Sequence, residues 1–337
     1  MPQAANHPDT VRVFSGIQPT GSKHLGNYSG GFRQYAATQD LGEGFFCIVD
    51  LHSITVEYDP KDLHERSLDL AAMLFATGID PERSTVFVQS HVTAHPEAAW
   101  LLDSVTSMGE LRRMTQFKTK SEEQSFVSAA LFTYPVLMAG DILLYRTDKV
   151  PIGDDQRQHL ELARDIAERF NARYGETFRL PEGIFPTVGS RIMDLQEPAK
   201  KMSTTGGTEL GTVGILDPPE VIAKKFRSAV TDSEREVRYD PQSKPGIANL
   251  IEILHVATGQ EISAVEEQYE TAGYGAFKQV VGEAVIAVFE PIRRRFEELR
   301  ADEGELRSLL AAGAEKARAV SGPTLEAMYE RMGFLRP

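Results

Sequence analysis

The sequence predicts an α/β protein: a parallel sheet covered by helices over residues 1–217, then an all-helical stretch over residues 218–337. Three observations carry this reading. Short apolar runs alternate with helical segments in the first part. Each run ends in turn residues, which gathers glycine- and histidine-bearing corners at one sheet edge. After Asp217-Pro218-Pro219 no strand-like run recurs.

Val11 to Phe14 is the first apolar run, and it ends at Ser15-Gly16. Gln18, Pro19, Thr20, Gly21 and Ser22 form a loop. His24-Leu25-Gly26-Asn27 and a helical run to about residue 38 follow. Such a loop brings the unpaired N–H groups of a helix start to one point, which is physically an anion site. Gly16, Gly21 and Gly26 allow a phosphate chain to approach, and His24 and Asn27 add donors. Taken alone, the stretch also fits an ordinary strand-turn-helix corner.

Residues 45–50 form the next strand and contain Cys47, the single cysteine, so neither a disulfide framework nor a cysteine-cluster zinc site is available. Asp59 and Pro60 start a helix that Gly78 stops near residue 77. Residues 85–89 are a third strand, which would put Gly16, His52, Ser90 and His91 at the shared edge. Residues 100–145 read as mainly helical, with a turn-like piece at 118–124 that carries Lys118 and Lys120. A short strand at 149–152 leads to an amphipathic helix at 155–174, where Leu162, Ile166 and Phe170 recur every fourth residue. Residues 185–194 read as a last strand, and 197–212 as a polar, mobile loop. Helices are expected at 220–230, 246–257, 262–269, 277–309 and 323–332.

Hydrophobic residues make up 41% of the chain and charged residues 25%, a globular profile. No apolar run approaches the roughly 18 residues of a membrane span, and the polar N-terminus has no apolar signal core. A cytoplasmic protein is expected. The net charge of -13 argues against general affinity for nucleic acid or anionic membrane, so a nucleic-acid partner would be met locally.

Three constellations carry chemistry. In FTYPVLMAGDILLY, Asp141 is the only charge between Glu123 and Arg146. Met138 lies one helical turn before it, and Tyr134 near the helix start. The residues suit a pocket for an apolar ligand with one N–H or O–H donor, or a structural pair with an arginine elsewhere. In VPIGDDQ, Gly153 marks a strand-end corner whose backbone could face a ribose or adenine, or which could be a plain capped helix start. In AKKMSTT, two lysines and three hydroxyls on a glycine-flanked loop can hold a triphosphate tail, or can be a solvated loop. His91 and His95 are set aside as a metal pair because of Pro96, and His159 is expected on the polar face of its helix.

Together these residues resemble the bacterial tryptophanyl-tRNA synthetases, a family of class I aminoacyl-tRNA synthetases. The resemblance runs from FSGIQPTG through CIVDLHSIT, GELRRMTQFK, LLYRTDKVPIGDDQ and RIMDL to FRSAVTDS. HLGN looks like the family's HIGH signature and KMSTT like its KMSKS signature. The resemblance implies a Rossmann-type catalytic domain at 1–217 and a helical anticodon-binding region at 218–337. It implies ATP at Gln18, Pro19, Thr20, Gly26, Asn27, Gly153, Asp154, Asp155, Ile192, Lys201, Met202, Ser203, Thr204 and Thr205. Tryptophan would lie against Phe14, Gly16, His52, Tyr134, Met138, Asp141 and Gln156, with Asp141 accepting the indole N–H. Lys201, Lys120, His24 and Asn27 are the implied catalytic residues. Magnesium would come bound to the ATP phosphates, with no metal held by the protein. The implied partners are tryptophan, ATP, the cognate tRNA and a second copy of the chain, without a membrane. One departure stands out: Thr204 occupies the position of the family's second signature lysine.

The implied reaction is attack of the tryptophan carboxylate on the α-phosphate, release of pyrophosphate, and transfer to the terminal adenosine of tRNA. A tyrosine-activating relative, a different nucleotidyltransferase and a non-catalytic tRNA- or tryptophan-binding paralogue are the competing readings. The pocket around Asp141 and the helical C-terminal part separate them.

Overall fold

The computed structural model describes residues 10–122, 126–153, 156–185, 191–204 and 206–335, with the side chains of 120–122 outside that description. Five strands pair in parallel: β1 (Arg12–Ile17), β2 (Glu43–Ile48), β3 (Ser84–Val88), β4 (Lys149–Pro151) and β5 (Glu182–Ile184). Their order across the sheet is β3-β2-β1-β4-β5. Every residue of β3 is buried, as expected of a strand covered on both faces. The chain leaves β1 for β2 and β3, then returns to the other side of β1 as β4. Strand order reverses between β1 and β4, and a crevice opens there beyond the carboxyl ends.

Local chemistry sets the helix bounds. Asp59 accepts the Lys61 N–H at 2.8 Å and Pro60 opens the helix Pro60–Ala76. Ser128 caps Ala129–Leu143 by accepting the Leu131 N–H at 3.1 Å. Arg157–Tyr174 buries Leu162, Ile166 and Phe170 and ends at Gly175, whose φ of +97° a side chain would resist. After HLGN the helix is continuous but uneven: a turn at Leu25–Asn27, a wide π-turn at Tyr28–Phe32, then Arg33–Thr38. Wide turns of this kind are uncommon and concentrate near functional sites.

The structure corrects several expectations. Lys118 and the backbone of Lys120 lie in the helix Thr115–Glu122, not in a turn. The strand anticipated at 185–194 is the earlier β5, and residues 186–190 lie outside the described part. Met193 instead forms an isolated bridge with Lys201. The helices expected at 277–309 and 323–332 are divided elsewhere, as Tyr274–Ala301 and Glu303–Met332. The break falls at Asp302, whose carboxylate caps the Glu305 N–H at 2.9 Å. Pro323 starts nothing. It sits inside the second helix, whose packing through the buried Ala314, Ala317 and Met328 outweighs one lost N–H bond.

The core does not divide at residue 217. One cluster joins Phe46, Ile48 and Val86 of the sheet to Phe226, Ile251 and Phe289 of the C-terminal helices. The other joins Phe14, Phe45 and Phe87 to Ala314, Ala317 and Met328. The last helix lies so close to β3 that a Cβ on Gly313 would meet the Val86 carbonyl oxygen at 1.9 Å. Gly313 is therefore a close-approach glycine.

Candidate active site

A cleft of about 420 Å³ opens at the strand-order reversal, between the ends of β1 and β4. It brings together all seven residues expected around the indole: Phe14, Gly16, His52, Tyr134, Met138, Asp141 and Gln156. Gln18, Thr20, Asn27 and Gly153 line the same cleft. Pro19 faces a neighbouring cavity instead. Asp154, Asp155, Thr205 and the side chain of Lys120 lie outside the described residues.

At the inner end Asp141 is 2% exposed. Its Oδ1 accepts from His95 Nδ1 at 2.6 Å and its Oδ2 from His52 Nε2 at 2.8 Å. Gln89 Nε2 donates to both oxygens, at 2.7 and 2.8 Å. Burial alone would push this carboxyl up. The hydrogen bonds from His52 and His95 outweigh it and hold the group well below the usual carboxylate range. The partner is thus not an arginine but two imidazoles and an amide. His95 Nε2 in turn accepts the Tyr145 hydroxyl at 2.9 Å, which fixes the tautomer that donates to Asp141. His95 was weighed in the sequence only as half of a metal pair, and Gln89 and Tyr145 were not singled out. The signal was present: a buried carboxylate requires donors, and His95 and Gln89 flank the end of a strand at the same sheet edge.

His159 is also buried, against expectation. Tyr134 and His159 meet at 2.8 Å between the hydroxyl and Nε2, and burial pushes the Tyr134 phenol up to about 12. A neutral phenol and a closed hydrogen bond make Tyr134 a fixed wall of the pocket.

At the outer end the HLGN turn presents a neutral imidazole. His24 Nδ1 accepts the Gly26 N–H at 3.1 Å, and the Asn27 side chain accepts the His24 N–H at 3.0 Å. Burial, then the charges of Lys201 and Lys23, push the His24 imidazole down to about 4. Nε2 therefore carries the proton and is a donor at neutral pH. Lys23 Nζ donates to the carbonyls of Gln18 at 3.2 Å and Thr20 at 2.8 Å, which pins the preceding turn. Burial, then Arg66, push its ammonium down to about 8.

The second signature folds onto the first. Leu25 N–H donates to Val213 at 2.8 Å and Ile215 N–H to Lys23 at 3.0 Å, so the chain after the KMSTT loop pairs with HLGN. A Cβ on Gly26 would lie 3.9 Å from Met202 Cβ, and one on Gly21 3.5 Å from Thr204 Oγ1. Ile192 is fully buried, and its carbonyl accepts the Met202 N–H at 3.0 Å, so it supports this loop rather than lining the cleft. Lys201 is exposed and its ammonium meets no carboxylate among the described residues, whereas Lys200 pairs with Glu197.

Comparisons with known proteins give the family of the chain as a whole. The family model described as tRNA synthetases class I (W and Y) matches residues 6–290. A tryptophan–tRNA ligase of Corynebacterium glutamicum is 50% identical over 327 residues, covering 96% of this chain and 95% of its own. That of Caldanaerobacter subterraneus is 49% identical, covering 96% and 98%. The tryptophanyl-tRNA synthetase structure from Mycoplasma pneumoniae superposes with a TM-score of 0.86 at 36% identity, over 97% of this chain and 98% of that one. The Campylobacter jejuni enzyme, solved with ADP and tryptophan, has a TM-score of 0.82 at 35% identity, over 96% and 100%.

Proposed function

The chain belongs to the class I tRNA synthetases for tryptophan and tyrosine and ligates tryptophan to tRNA with ATP, and from that premise we propose how its own residues divide the work. The observation that carries the proposal is the buried Asp141 set at the inner end of a cleft whose outer end carries Asn27 of the HLGN turn, the turn with which the chain after KMSTT pairs.

Tryptophan lies with its indole between Phe14, Tyr134 and Met138. Asp141 accepts the indole N–H when Gln89 gives up one of its two carboxylate contacts. ATP lies along Gln18, Thr20, Gly26, Asn27 and Gly153. The tryptophan carboxylate is already an anion, so the first step needs no general base; it needs alignment and stabilisation of the charge that moves to pyrophosphate. The neutral His24 donates from Nε2, and Lys201, Met202, Ser203, Thr204 and Thr205 close on the phosphates, with Lys120 beside the leaving group. Magnesium would enter on the phosphates as part of the substrate. Among the described residues no three His, Cys, Asp or Glu side chains are grouped as metal ligands.

The helical region 218–337 is proposed to read the anticodon. Arg293, Arg294 and Arg295 each face a glutamate of their own helix, at 3.9, 3.5 and 3.1 Å, so contact with tRNA would trade one anion for another. A homodimer would cover Trp100 and Phe126, each 77% exposed, and Met108 at 61%. Among the described residues no helix is long and apolar enough to cross a membrane, and the proposed location is the cytoplasm.

Pyrophosphate exchange across the amino acids, with tRNA charging alongside, is the test. Exchange that depends on tryptophan is expected. Preference for tyrosine would overturn the pocket assignment, and exchange without charging would overturn the second step.

A further inference from the structure

Asp194 touches none of the cleft residues, yet its surroundings are unusual. It is 1% exposed. Its Oδ1 accepts the N–H groups of Gln196 at 2.8 Å and Glu197 at 3.0 Å. Its Oδ2 is buried and has no hydrogen-bond partner among the described residues. A buried carboxylate oxygen without a donor is a standing cost to the arrangement that buries it.

The carboxylate is held on a fixed post. Met193 N–H donates to Asn249 Oδ1 at 2.9 Å, and Asn249 Nδ2 donates back to the Met193 carbonyl at 3.0 Å. Asn249 is buried in the helix Pro245–Thr258, so the post is tied to the C-terminal core. Asp194 N–H donates to the Lys200 carbonyl at 2.9 Å, directly before Lys201. The KMSTT loop lies on the carboxylate itself. A Cβ on Gly211 would come within 1.8 Å of Asp194 Oδ1, and one on Gly207 within 2.9 Å of Oδ2. Bare glycines permit this contact, but neither N–H of that pair is bonded to the orphan oxygen: Gly211 N–H goes to Thr208. The loop carrying Lys201 is thus folded over a charge that it shields from water and leaves unsatisfied.

We propose that Asp194 is a positioning residue for the KMSTT loop: its unpaired Oδ2 destabilises the arrangement seen here and accepts an N–H or hydroxyl of the loop when Lys201 is drawn onto the ATP phosphates. The inference rests on the assignment of Lys201 to the phosphates. It gives a structural reason for loop rearrangement that does not depend on the missing second lysine at Thr204.

Asp194→Asn keeps Oδ1 for its two N–H groups and removes the charged acceptor. Single-turnover adenylate formation should slow about tenfold, the scale of one hydrogen bond to a charged group, with the tryptophan KM unchanged. The thermal midpoint of the free protein should stay level or rise, because an unpaired buried charge has gone. Hydrogen exchange in 201–212 should show less protection by a non-hydrolysable ATP analogue than in the parent. Asp194→Ser, which also keeps a cap for Gln196 and Glu197, should behave alike. A parent-like rate in both variants overturns the proposal, and so does loss of rate together with stability, which marks a structural residue. Tryptophan-dependent exchange by the parent protein is run beside them: its failure sinks the assignment of the site, whereas parent activity with unaltered variants sinks only the role of Asp194.

Discussion

Asp141 is 2% exposed and receives three side-chain donors, while Lys201 is exposed beside a carboxylate, Asp194, that has an oxygen left over. The inner end of the cleft is made from strand ends and a long helix, with its polar groups satisfied before a ligand arrives. The outer end is made from turns whose groups are incompletely paired. A preorganised, desolvated end discriminates among amino acids, because only a side chain that donates to Asp141 makes good the contact that Gln89 gives up. A loosely paired end can follow charge as it moves during reaction. The two ends therefore favour selectivity and acceleration respectively, and the expected consequences of altering them differ in kind.

The largest effect is expected at the closed end. Asp141→Ala strips the acceptor from His52, His95 and Gln89 at once. It should lower kcat/KM for tryptophan by about 10⁴, the scale for a site built around one substrate hydrogen bond. It should also lower the thermal midpoint, since buried donors are left unpaired. Pyrophosphate exchange and a melting curve check both; a variant close to parent in each would make Asp141 a bystander.

Lys201→Ala should cost about 10²–10³ in the rate of adenylate formation, the scale for one preorganised donor, and leave the melting curve unmoved. Single-turnover measurements separate rate from binding. A change confined to ATP affinity would reduce the lysine to a ground-state contact.

Thr204→Lys restores the charge that the signature lacks and should partly rescue Lys120→Ala. The coupling is read from a double-mutant cycle on adenylation, and strict additivity would remove the idea that other lysines stand in for the missing one.

The smallest effect concerns pH. The Lys23 ammonium is pushed down to about 8 from 10.5 by burial and then by Arg66. Its folded value lies below its unfolded one, so its penalty on folding is full below pH 8 and fades as pH rises toward 10.5. ATP binding runs the other way: the bound anion favours the charged form. The KM for ATP should thus rise above pH 8, by roughly two- to fivefold, the scale of one screened charge. Lys23→Arg, which stays charged, should flatten that rise. A rise that persists in the arginine variant would assign it to another group.

Much of this was legible in the sequence because it was local. Strand ends followed by glycine corners gave the edge of the sheet, and Asp59-Pro60 and Gly78 bounded a helix as caps and stops do. Gly16, His52, Gly153, Tyr134, Met138 and Asp141 stood out because each lies at such an end or along one helix, whereas Phe14 and Gln156 came only from the family resemblance. What escaped depended on contacts far apart in the chain. His95 reaches Asp141 across 46 residues and Gln89 across 52, and no spacing rule carries that information. His159 was misplaced because its helix face was judged by polarity, whereas its burial is set by Tyr134 from another helix. Pro323 was taken for a helix start because packing against the sheet is invisible in a local window. Asp194 gave no sequence signal: an orphaned oxygen is a property of what fails to arrive.

The division between a selecting end and an accelerating end is tested most directly by one ratio, kcat/KM for tryptophan over kcat/KM for phenylalanine, measured by pyrophosphate exchange in Asp141→Ala and Lys201→Ala side by side. Asp141→Ala should collapse the ratio by several orders of magnitude. Lys201→Ala should lower both values together and leave the ratio within about twofold, because it acts on phosphate charge common to every amino acid. A collapse of the ratio in Lys201→Ala, or its survival in Asp141→Ala, would contradict the account.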